Sequence, residues 1–212
     1  MSTKAQLTLS SIDQLAIHIL KHFSSGTRKL IAIAGPPGAG KSTASITLCD
    51  RLPGAAVLQA DGFHFDNALL DYLGRRQRKG APDTFDCAGL KHSLEQVRRG
   101  DVDVVVPVFD RELDLSRGSA AIIAAEARFV IVEGNYLASS ERPWVGLRPC
   151  FDLLIYLDVP MVELVHRLEQ RWVGLGWPRT KVQNWIQSND LPNVAFVERT
   201  KSNLDVAVQW DT

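Results

Sequence analysis

The sequence has little cysteine and no excess of charge of either sign. Its 212 residues include three cysteines, Cys49, Cys87 and Cys150, which lie far apart and match no metal-ligand spacing. We therefore expect free thiols in a reducing compartment. Lysine plus arginine and aspartate plus glutamate number 24 each, so the formal net charge is zero. This balance disfavours binding to nucleic acid or to an anionic lipid surface, because both need an excess of cationic side chains.

The sequence also lacks a long hydrophobic run. No stretch approaches the roughly 18 apolar residues that a membrane helix requires, and the N-terminal stretch is amphipathic, with Lys4, Asp13 and Lys21 within it. We expect no membrane insertion and a cytoplasmic location. What remains is an ordinary globular composition, with 45% hydrophobic and 23% charged residues. The length suits a single domain over residues 1–212 with a sizeable apolar core.

Short apolar runs alternate with segments of helical pattern. A first helix is predicted over about 11–24, because Ser11 and Gln14 match a capping box, apolar residues repeat at helical spacing, and a Ser-Ser-Gly sequence at 24–26 ends it. Further helices are predicted at 88–99 and 161–172, and strands buried on both faces of a parallel sheet at 30–34, 55–60, 104–108, 129–132 and 153–157. This alternation is typical of a wound α/β sheet.

The strongest chemical signal is a glycine-rich loop directly after the first predicted strand. Residues 35–42 read Gly-Pro-Pro-Gly-Ala-Gly-Lys-Ser, which satisfies the G-x-x-x-x-G-K-[ST] phosphate-binding motif. Its glycines let backbone N–H groups turn toward an anion, and the following helix adds its positive dipole end. Lys41 is expected to reach the β and γ phosphates and Ser42 to ligate Mg²⁺; the alternative is a glycine turn with a solvated lysine. The nucleotide-binding residues are predicted to be Gly35, Pro36, Pro37, Gly38, Ala39, Gly40, Lys41, Ser42 and Thr43.

Carboxylates stand at the ends of two other predicted strands. Asp61 follows the run 55–60, and in open α/β sheets this position lines the ligand crevice. Such a carboxylate can accept a proton from an attacking hydroxyl, which transfer to an alcohol needs and plain NTP hydrolysis does not; alternatively, Asp61 only opens a turn before Gly62. Glu133 ends the run 129–132, where a carboxylate holds Mg²⁺ or its water shell. Since aspartate is more usual there, we expect Glu133 to act through water or as a base behind the first ligands, and the alternative is a strand exit without function.

Arginines in the last third of the chain predict a lid. Arg167 and Arg171 stand four residues apart on one helix face, and Arg179 follows a loop whose glycines and proline suit movement. Guanidinium groups stabilise the negative charge of a phosphoryl transition state, so the lid is expected over about residues 161–190. The alternative is a salt-bridge ladder on a solvated face, formed with Glu163.

Two other clusters each admit two interpretations. The basic run at 75–79 is either a solvated loop or a loop that binds an anionic acceptor. Trp172, Trp177 and Trp185 crowd the predicted lid, where an indole ring either packs in the core or stacks on adenine.

Four short segments carry a resemblance to a known family. They read Asp-Gly-Phe-His-Phe-Asp-Asn at 61–67, Arg-Lys-Gly-Ala-Pro-Asp-Thr-Phe-Asp at 78–86, Pro-Val-Phe-Asp-Arg at 107–111 and Val-Glu-Gly-Asn-Tyr at 132–136. Together they resemble the uridine kinase, phosphoribulokinase and bacterial pantothenate kinase family, and within it most closely the small proteins described as fructose transport system kinases. The first two segments are far more specific than the phosphate loop, which many NTPases share.

The resemblance implies an ATP- and Mg²⁺-dependent kinase with the phosphate-loop kinase fold, a five-stranded parallel sheet with helices on both faces and a helical lid. Asp61 matches the family's base beside the acceptor hydroxyl, Lys41 and Ser42 match its phosphate and metal groups, and Glu133 matches its carboxylate after the third core strand. Arg171 and Arg179 fall in the lid as catalytic candidates. The stretches that shape the family's acceptor pocket, at about 61–115 and around residue 136, contain His64, Arg78, Lys79, Asp86, Arg111 and Tyr136.

The family itself accepts nucleosides, sugar phosphates and pantothenate, so the acceptor's identity does not transfer. The predicted function is transfer of the γ-phosphoryl group of MgATP to an alcohol group of a sugar-like small molecule, because residues such as His64, Asp86, Arg111 and Asn135 can donate and accept hydrogen bonds around a sugar. Any one of them can equally have a generic turn or strand-end role. The alternatives are a nucleoside or pantothenate-type kinase and, in another class, a nucleotide-binding regulator without an acceptor. A homodimer is left open.

Overall fold

The computed structural model describes residues 7–23 and 26–210 of the chain. Within these ranges the strands are β1 (Leu7–Leu9), β2 (Lys29–Ala34), β3 (Ala55–Gln59), β4 (Val104–Asp110), β5 (Leu115–Ile123), β6 (Phe129–Gly134), β7 (Leu153–Asp158) and β8 (Val206–Gln209). The α-helices are α1 (Ile12–His22), α2 (Lys41–Arg51), α3 (Asn67–Tyr72), α4 (Cys87–Arg99), α5 (Met161–Gly174), α6 (Arg179–Trp185) and α7 (Leu191–Thr200). Short 3₁₀ turns cover Ala60–Phe63, Arg76–Arg78 and Trp144–Cys150, and a π-helical turn, Ile186–Asp190, joins α6 to α7.

Six parallel strands form the central sheet, in the order β1, β8, β7, β2, β6, β3. The predicted wound α/β architecture is confirmed, although the sheet has six strands rather than the five expected. The sequence pattern does not predict β1 and β8, which pair with each other from Leu7 opposite Val206 to Leu9 opposite Val208. Strands of three and four residues are too short to show a periodicity.

The prediction that the strand at 104–108 belongs to the parallel sheet is wrong. β4 pairs antiparallel with β5 in a separate two-stranded ribbon, and the pairing shifts at a bulge between Val106 and Val108. Val104 and Val106 are buried while Val105 is 53% exposed, so only one face of this strand covers the core. An alternating strand that contains proline is typical of an edge rather than of a sheet buried on both faces.

The neighbouring strands β2 and β6, inside the sheet, are buried between helices on both faces. Ile31 and Ile33 of β2 pack in the same apolar layer as residues of α1 and α2, while Leu30 and Ala32 pack with α4 on the other face. Every residue of β6 is buried. Because packing on both faces fixes these strands, the loops at their carboxyl ends start from a rigid edge.

The helices begin close to where the sequence predicts. The Ser11 hydroxyl accepts a hydrogen bond from the Gln14 N–H at 3.2 Å, which is the expected cap of α1; the residues predicted to end this helix at 24 and 25 lie outside the described residues. The helices predicted at 88–99 and 161–172 are present as α4 and α5.

A small apolar cluster forms between α5, α6 and the π-helical turn. Its centre is Leu168, Val182 and Ile186, and Trp172 and Trp177 pack against it. The cluster lies in the segment predicted as a lid and is separate from the two layers that cover the sheet. Among the described residues, no helix has both the length and the apolar character that crossing a bilayer requires.

Candidate active site

The glycine-rich loop connects the end of β2 to the start of α2. Gly38 and Gly40 have φ angles of 83° and 79°, a region that favours glycine. A Cβ on Gly40 would lie 2.8 Å from Nε1 of Trp210, and one on Gly38 would lie 3.0 Å from the backbone oxygen of Leu164. Neither position has room for a side chain. The loop therefore wraps the N-terminus of α2 closely with backbone alone, which suits an anion.

Lys41, the first residue of α2, folds back over this loop. Its Nζ donates a hydrogen bond to the backbone oxygen of Pro36 at 3.0 Å, and the residue is only 8% exposed. Burial lowers the pKa of Lys41, while the negative charges of Glu133 and Asp61 oppose that shift. The ammonium group is thus held beside two carboxylates, where a polyphosphate can replace its backbone partner.

Ser42, Glu133 and Asp61 are brought together by strand register. Glu133 lies near the end of β6 opposite Gln59, and Asp61 follows two residues later in the neighbouring chain segment. The Ser42 hydroxyl donates to Oε1 of Glu133 at 3.0 Å. Burial raises the pKa of Glu133, the charge of Asp61 raises it further, and Lys41 opposes this rise.

These oxygen groups fit a hard divalent cation such as Mg²⁺. In the part of the chain that the structure describes, no three His, Cys, Asp or Glu side chains come close enough to hold an ion by themselves. Mg²⁺ in phosphate-transfer sites is bound by one or two carboxylates together with phosphate oxygens and water, so a partial set of protein ligands is what such a site needs. Ser42 and Glu133 are the residues that would supply it.

Asp61 lies on a 3₁₀ turn, Ala60–Phe63, which packs between the ribbon of β4 and β5 and the sheet. A Cβ on Gly62 would lie 2.4 Å from the backbone oxygen of Pro107 in β4, so only glycine permits this approach. Arg111, just after β4, places Nη2 at 3.3 Å from Oδ2 of Asp61. The ribbon thereby brings a cation to one oxygen of the carboxylate.

His64 packs directly behind Asp61. Its Nδ1 donates to the backbone oxygen of Asp61 at 2.7 Å, since a carbonyl oxygen can only accept. The ring centre lies 3.9 Å from that of Phe85 and 4.8 Å from that of Phe109. Burial lowers the pKa of His64, which favours the neutral ring.

Basic side chains of the run at 75–79 are paired with other protein groups. Nζ of Lys79 donates to Oδ1 of Asn67 at 2.7 Å and lies 3.0 Å from a carboxylate oxygen of Asp114, at the tip of the ribbon. Nη1 of Arg76 lies 3.0 Å from the same carboxylate. Burial lowers the pKa of Lys79, although its hydrogen bond to Asp114 opposes the shift. The tip of the ribbon thus neutralises part of this run beside the cleft.

A cleft of about 1160 Å³ joins these groups. It is lined by most of the predicted site residues: Pro37, Gly38, Gly40, Lys41, Ser42, Thr43, Asp61, His64, Lys79, Arg111, Glu133 and Arg171. The loop residues Gly35, Pro36 and Ala39 do not line it, and neither do four predicted side-chain contacts, Arg78, Asp86, Tyr136 and Arg179. Their predicted roles as ligand or catalytic contacts therefore stay predictions.

Three of these four residues have structural partners. Arg78 donates from Nη1 to Oδ1 of Asn189 at 2.8 Å, and the buried Tyr136 hydroxyl donates to the backbone oxygen of Gly80 at 2.6 Å. Asp86 caps α4 by accepting from a backbone N–H at 2.8 Å. The contacts of Arg78 and Tyr136 hold the loop at 78–80, part of which borders the cleft.

The lid arginines differ in where they point. Nε of Arg167 donates to Glu163 at 2.7 Å, which is one step of the alternative salt-bridge ladder. Its Nη1 is buried without a hydrogen-bond partner among the described residues and lies 3.5 Å from where a Cβ on Gly40 would be. Arg171 lines the cleft, with its guanidinium 5.4 Å from the centre of a Trp172 ring, whereas Arg179 is exposed at the start of α6. Arg167 is therefore the arginine that meets the phosphate loop, and the i, i+4 spacing with Arg171 was its only sequence signal.

The three lid tryptophans pack on one another and also border the cleft. Trp172 and Trp177 stack with ring centres 4.6 Å apart, and Trp185 meets both edge-on at 5.9 and 5.8 Å. Beside them, Ser188, Asn189, Asp190 and Asn193 complete the wall of the cleft. These four polar residues were not predicted from the sequence, because no local motif marks them.

Comparison with known proteins places the chain in a family. A sequence model described as the phosphoribulokinase / uridine kinase family matches residues 30–211. An uncharacterized protein of Escherichia coli K12, YggC, is 34% identical over 188 residues, which cover 86% of this chain and 78% of that protein. A protein of Schizosaccharomyces pombe, provisionally described as a uridine kinase, is 30% identical over 222 aligned positions, covering 95% of this chain and 91% of that protein.

A solved structure agrees over nearly the whole chain. It is that of a provisionally described fructose transport system kinase from Silicibacter sp. TM1040, with a TM-score of 0.88 and 36% sequence identity. The match covers 95% of this chain and 99% of that chain.

Proposed function

The chain belongs to the phosphoribulokinase / uridine kinase family, and from this premise we propose that it transfers the γ-phosphoryl group of MgATP to an alcohol group of a sugar-like small molecule. That it is a kinase follows from the family. The observation that supports an alcohol acceptor is the position of Asp61, which lies in the same cleft as the phosphate loop. Hydrolysis of a nucleotide needs no such base, whereas transfer to a hydroxyl does.

The nucleotide is held at the N-terminus of α2. Backbone N–H groups of the loop around Gly38 and Gly40 cradle the phosphates, and Lys41 exchanges its contact with the Pro36 oxygen for the β and γ phosphates. When bound, Mg²⁺ offsets the charge of these phosphates, with Ser42 and Glu133 as its protein ligands, directly or through water.

Asp61 takes the proton of the acceptor hydroxyl. Arg111 engages Oδ2 of Asp61 at 3.3 Å, which orients the carboxylate and leaves its other oxygen for the hydroxyl. As the acceptor oxygen bonds to the γ phosphorus, the bond from that phosphorus to the leaving oxygen of ADP breaks. Lys41, Arg167 and Arg171 stabilise the negative charge that spreads over the transferring group. A role for Arg179 requires movement of the lid and stays a prediction.

The names of the relatives support a small acceptor with a hydroxyl group. The yeast relative is described as a uridine kinase and the structural neighbour as a fructose transport system kinase, and both substrates carry a sugar. Within the class, nucleosides and pantothenate-like acceptors are the alternatives to a free sugar.

The test is acceptor-dependent consumption of ATP. Purified protein with Mg²⁺ and ATP would be offered sugars, sugar alcohols, sugar phosphates, nucleosides and pantothenate, and products would be followed by mass spectrometry. We expect one acceptor class to raise turnover well above the rate with ATP alone and to gain the mass of one phosphoryl group. Tight ATP binding with no phosphorylated product from any class would favour the regulator instead.

A further inference from the structure

Asp190 is a buried carboxylate in the wall of the cleft, and it has no role in the proposed phosphoryl transfer. It ends the π-helical turn, is 6% exposed and lines the same cleft as the phosphate loop. Within the described residues its side chain has a single hydrogen-bond partner, Nε1 of Trp172 at 2.7 Å, and it takes part in no ion pair. An ionised carboxylate can accept about four hydrogen bonds. Asp190 therefore has unused acceptor capacity that faces the cleft.

The π-helical turn is held firmly against the loop at 78–80. The side chain of Asn189 donates from Nδ2 to the backbone oxygen of Lys79 at 3.0 Å and accepts from Arg78 at 2.8 Å. Both ends of the Asn189 amide are thus occupied by protein groups. The position of the neighbouring Asp190 is fixed before any ligand binds, which is what a recognition residue requires. π-helical turns of this kind are frequent at functional sites.

The groups around Asp190 are complementary to hydroxyls. Asn193 makes only long contacts, 3.4 Å to the oxygen of Gly80 and 3.3 Å to Arg78, so its amide can still serve a ligand. Nε1 of Trp185 is buried and has no partner within the described part of the chain. A hydroxyl group both donates and accepts, so it can satisfy Asp190 and these other groups together.

The charges around the cleft disfavour both an acidic and a cationic group at this position. An acidic group in contact with Asp190 would be repelled, because no ion pair among the described residues offsets the charge of Asp190. Arg76 and Lys79, which also line the cleft, are paired with Asp114. A cation would enter a cleft whose lining already has more basic than acidic side chains, seven against four: Lys41, Arg76, Lys79, Arg111, Arg167, Arg171 and Lys181 against Asp61, Asp114, Glu133 and Asp190.

Asp190 and Asp61, the proposed base, line the same cleft. An acceptor between them could present one hydroxyl to Asp61 and others to Asp190.

Resting on the proposed kinase function, we propose that Asp190 determines acceptor specificity by accepting hydrogen bonds from hydroxyl groups remote from the one phosphorylated, so that the acceptor is an uncharged polyol such as a sugar or sugar alcohol. Trp172 and Trp185 offer aromatic surface beside it for the C–H groups of such a ligand.

The test compares Asp190→Asn with the wild type and with Glu169→Gln, an exposed carboxylate of α5 that serves as the matched control. Asparagine keeps an oxygen for Trp172 but removes the charge and part of the acceptor capacity. We expect Asp190→Asn to raise the KM of the polyol about tenfold or more, in line with the loss of a hydrogen bond to a charged group, while the KM of ATP and the behaviour of Glu169→Gln stay at wild-type values.

Deoxy analogues of the accepted sugar sharpen this test. One analogue should lose affinity for the wild type but not for Asp190→Asn, because its missing hydroxyl is the one that Asp190 binds. Equal rises in the KM of ATP and of the acceptor, or an unchanged KM of the acceptor, would overturn the proposal and leave Asp190 as a lid contact. A carboxylic acid or sugar phosphate as the preferred acceptor would overturn it as well.

A binding experiment distinguishes failure of the proposed kinase function from failure of this inference. Calorimetry would measure binding of the same neutral sugars in the presence of a non-hydrolysable ATP analogue. If no product forms but a polyol binds to the wild type and not to Asp190→Asn, only the proposed function fails. If product forms and binding does not depend on Asp190, only this inference fails.

Discussion

The two ends of the cleft, which we propose bind the nucleotide (the nucleotide end) and the acceptor (the acceptor end), are built in different ways. The nucleotide end comes from one continuous segment at 35–43, much of it backbone, which starts from a fully buried strand edge. The acceptor end is assembled from side chains that are far apart in sequence: Lys79 and Asp114 are 35 residues apart, and Arg78 and Asn189 are 111 apart. The position of the nucleotide end is therefore fixed by the sheet. In the acceptor end, a single side-chain contact can change without disturbing the sheet.

Asp61 stands where the two ends meet, and changing it gives the largest expected effect. Asp61→Asn should lower kcat by about 10²- to 10⁴-fold, the usual contribution of a general base, while ATP affinity stays unchanged. Asp158→Asn is the matched control, because Asp158 is an exposed aspartate at the carboxyl end of β7 in the same sheet. Steady-state kinetics and nucleotide calorimetry would measure both. Equal activity of the two variants would contradict the role of Asp61.

We can test whether ATP binding needs a loop without side chains by replacing two glycines that both have a left-handed backbone conformation. Gly40→Ala places a Cβ 2.8 Å from Trp210, whereas Gly74, with φ of 66°, has open space around it. Both variants should lose about 1 to 2 kcal/mol of stability from the left-handed backbone. We expect only Gly40→Ala to weaken ATP binding, by about 100-fold or roughly 2.8 kcal/mol. Calorimetry with ATP at a temperature where both variants are folded would decide, and equal affinities would show that the loop tolerates a side chain.

We expect the arginines of the predicted lid to differ in their effect on phosphoryl transfer. Arg167→Ala removes a buried guanidinium beside the phosphate loop and should lower kcat about 10- to 100-fold, as expected for a charge-assisted hydrogen bond. Arg179→Ala serves as the comparison, since Arg179 is exposed. If Arg179→Ala instead has the larger effect, the lid must rearrange on binding and Arg179 takes the role predicted from the sequence.

The smallest effect concerns stability at the acceptor end. Burial raises the pKa of Asp190 to about 6 from an ordinary value of 3.8. The folded protein therefore binds this proton more tightly than the unfolded chain, and stability is lost as pH rises between about 4 and 6. A shift of two units corresponds to roughly 3 kcal/mol at most, and solvent in the cleft reduces it.

Asp190→Asn should accordingly stabilise the protein at pH 8 by about 1 to 2 kcal/mol and lose that advantage at pH 4. Denaturant unfolding at the two pH values measures this. A variant that is less stable than the wild type at pH 8 would show that the carboxylate is there for structure rather than for binding.

Features built from one contiguous segment could be predicted from the sequence, whereas features assembled from distant segments could not. The phosphate loop and the four strands β2, β3, β6 and β7 were predictable because each is a contiguous pattern. The strand at 104–108 was not placed correctly, since an apolar run does not reveal which sheet it joins. Its alternating burial and Pro107 are the signals of an edge ribbon.

The polar residues Asp190 and Asn193 of the cleft wall could not be predicted, because neither belongs to a sequence motif. Asp190 lies on a π-helical turn that the Asn189 amide holds against Arg78 and Lys79. Likewise, the preference for Arg167 over Arg179 depends on how α5 lies across the phosphate loop, which only the folded chain defines.

The central claim is that the phosphoryl group leaves ATP for an alcohol, with Asp61 as the base. The most direct measurement follows ATP labelled with ¹⁸O in its γ-phosphoryl group, with the accepted sugar present, in the wild type and Asp61→Asn. We predict that the label appears in a sugar phosphate ester and that Asp61→Asn slows its appearance about 10²- to 10⁴-fold. Label that appears only in inorganic phosphate, at a rate independent of both the sugar and Asp61, would contradict the account.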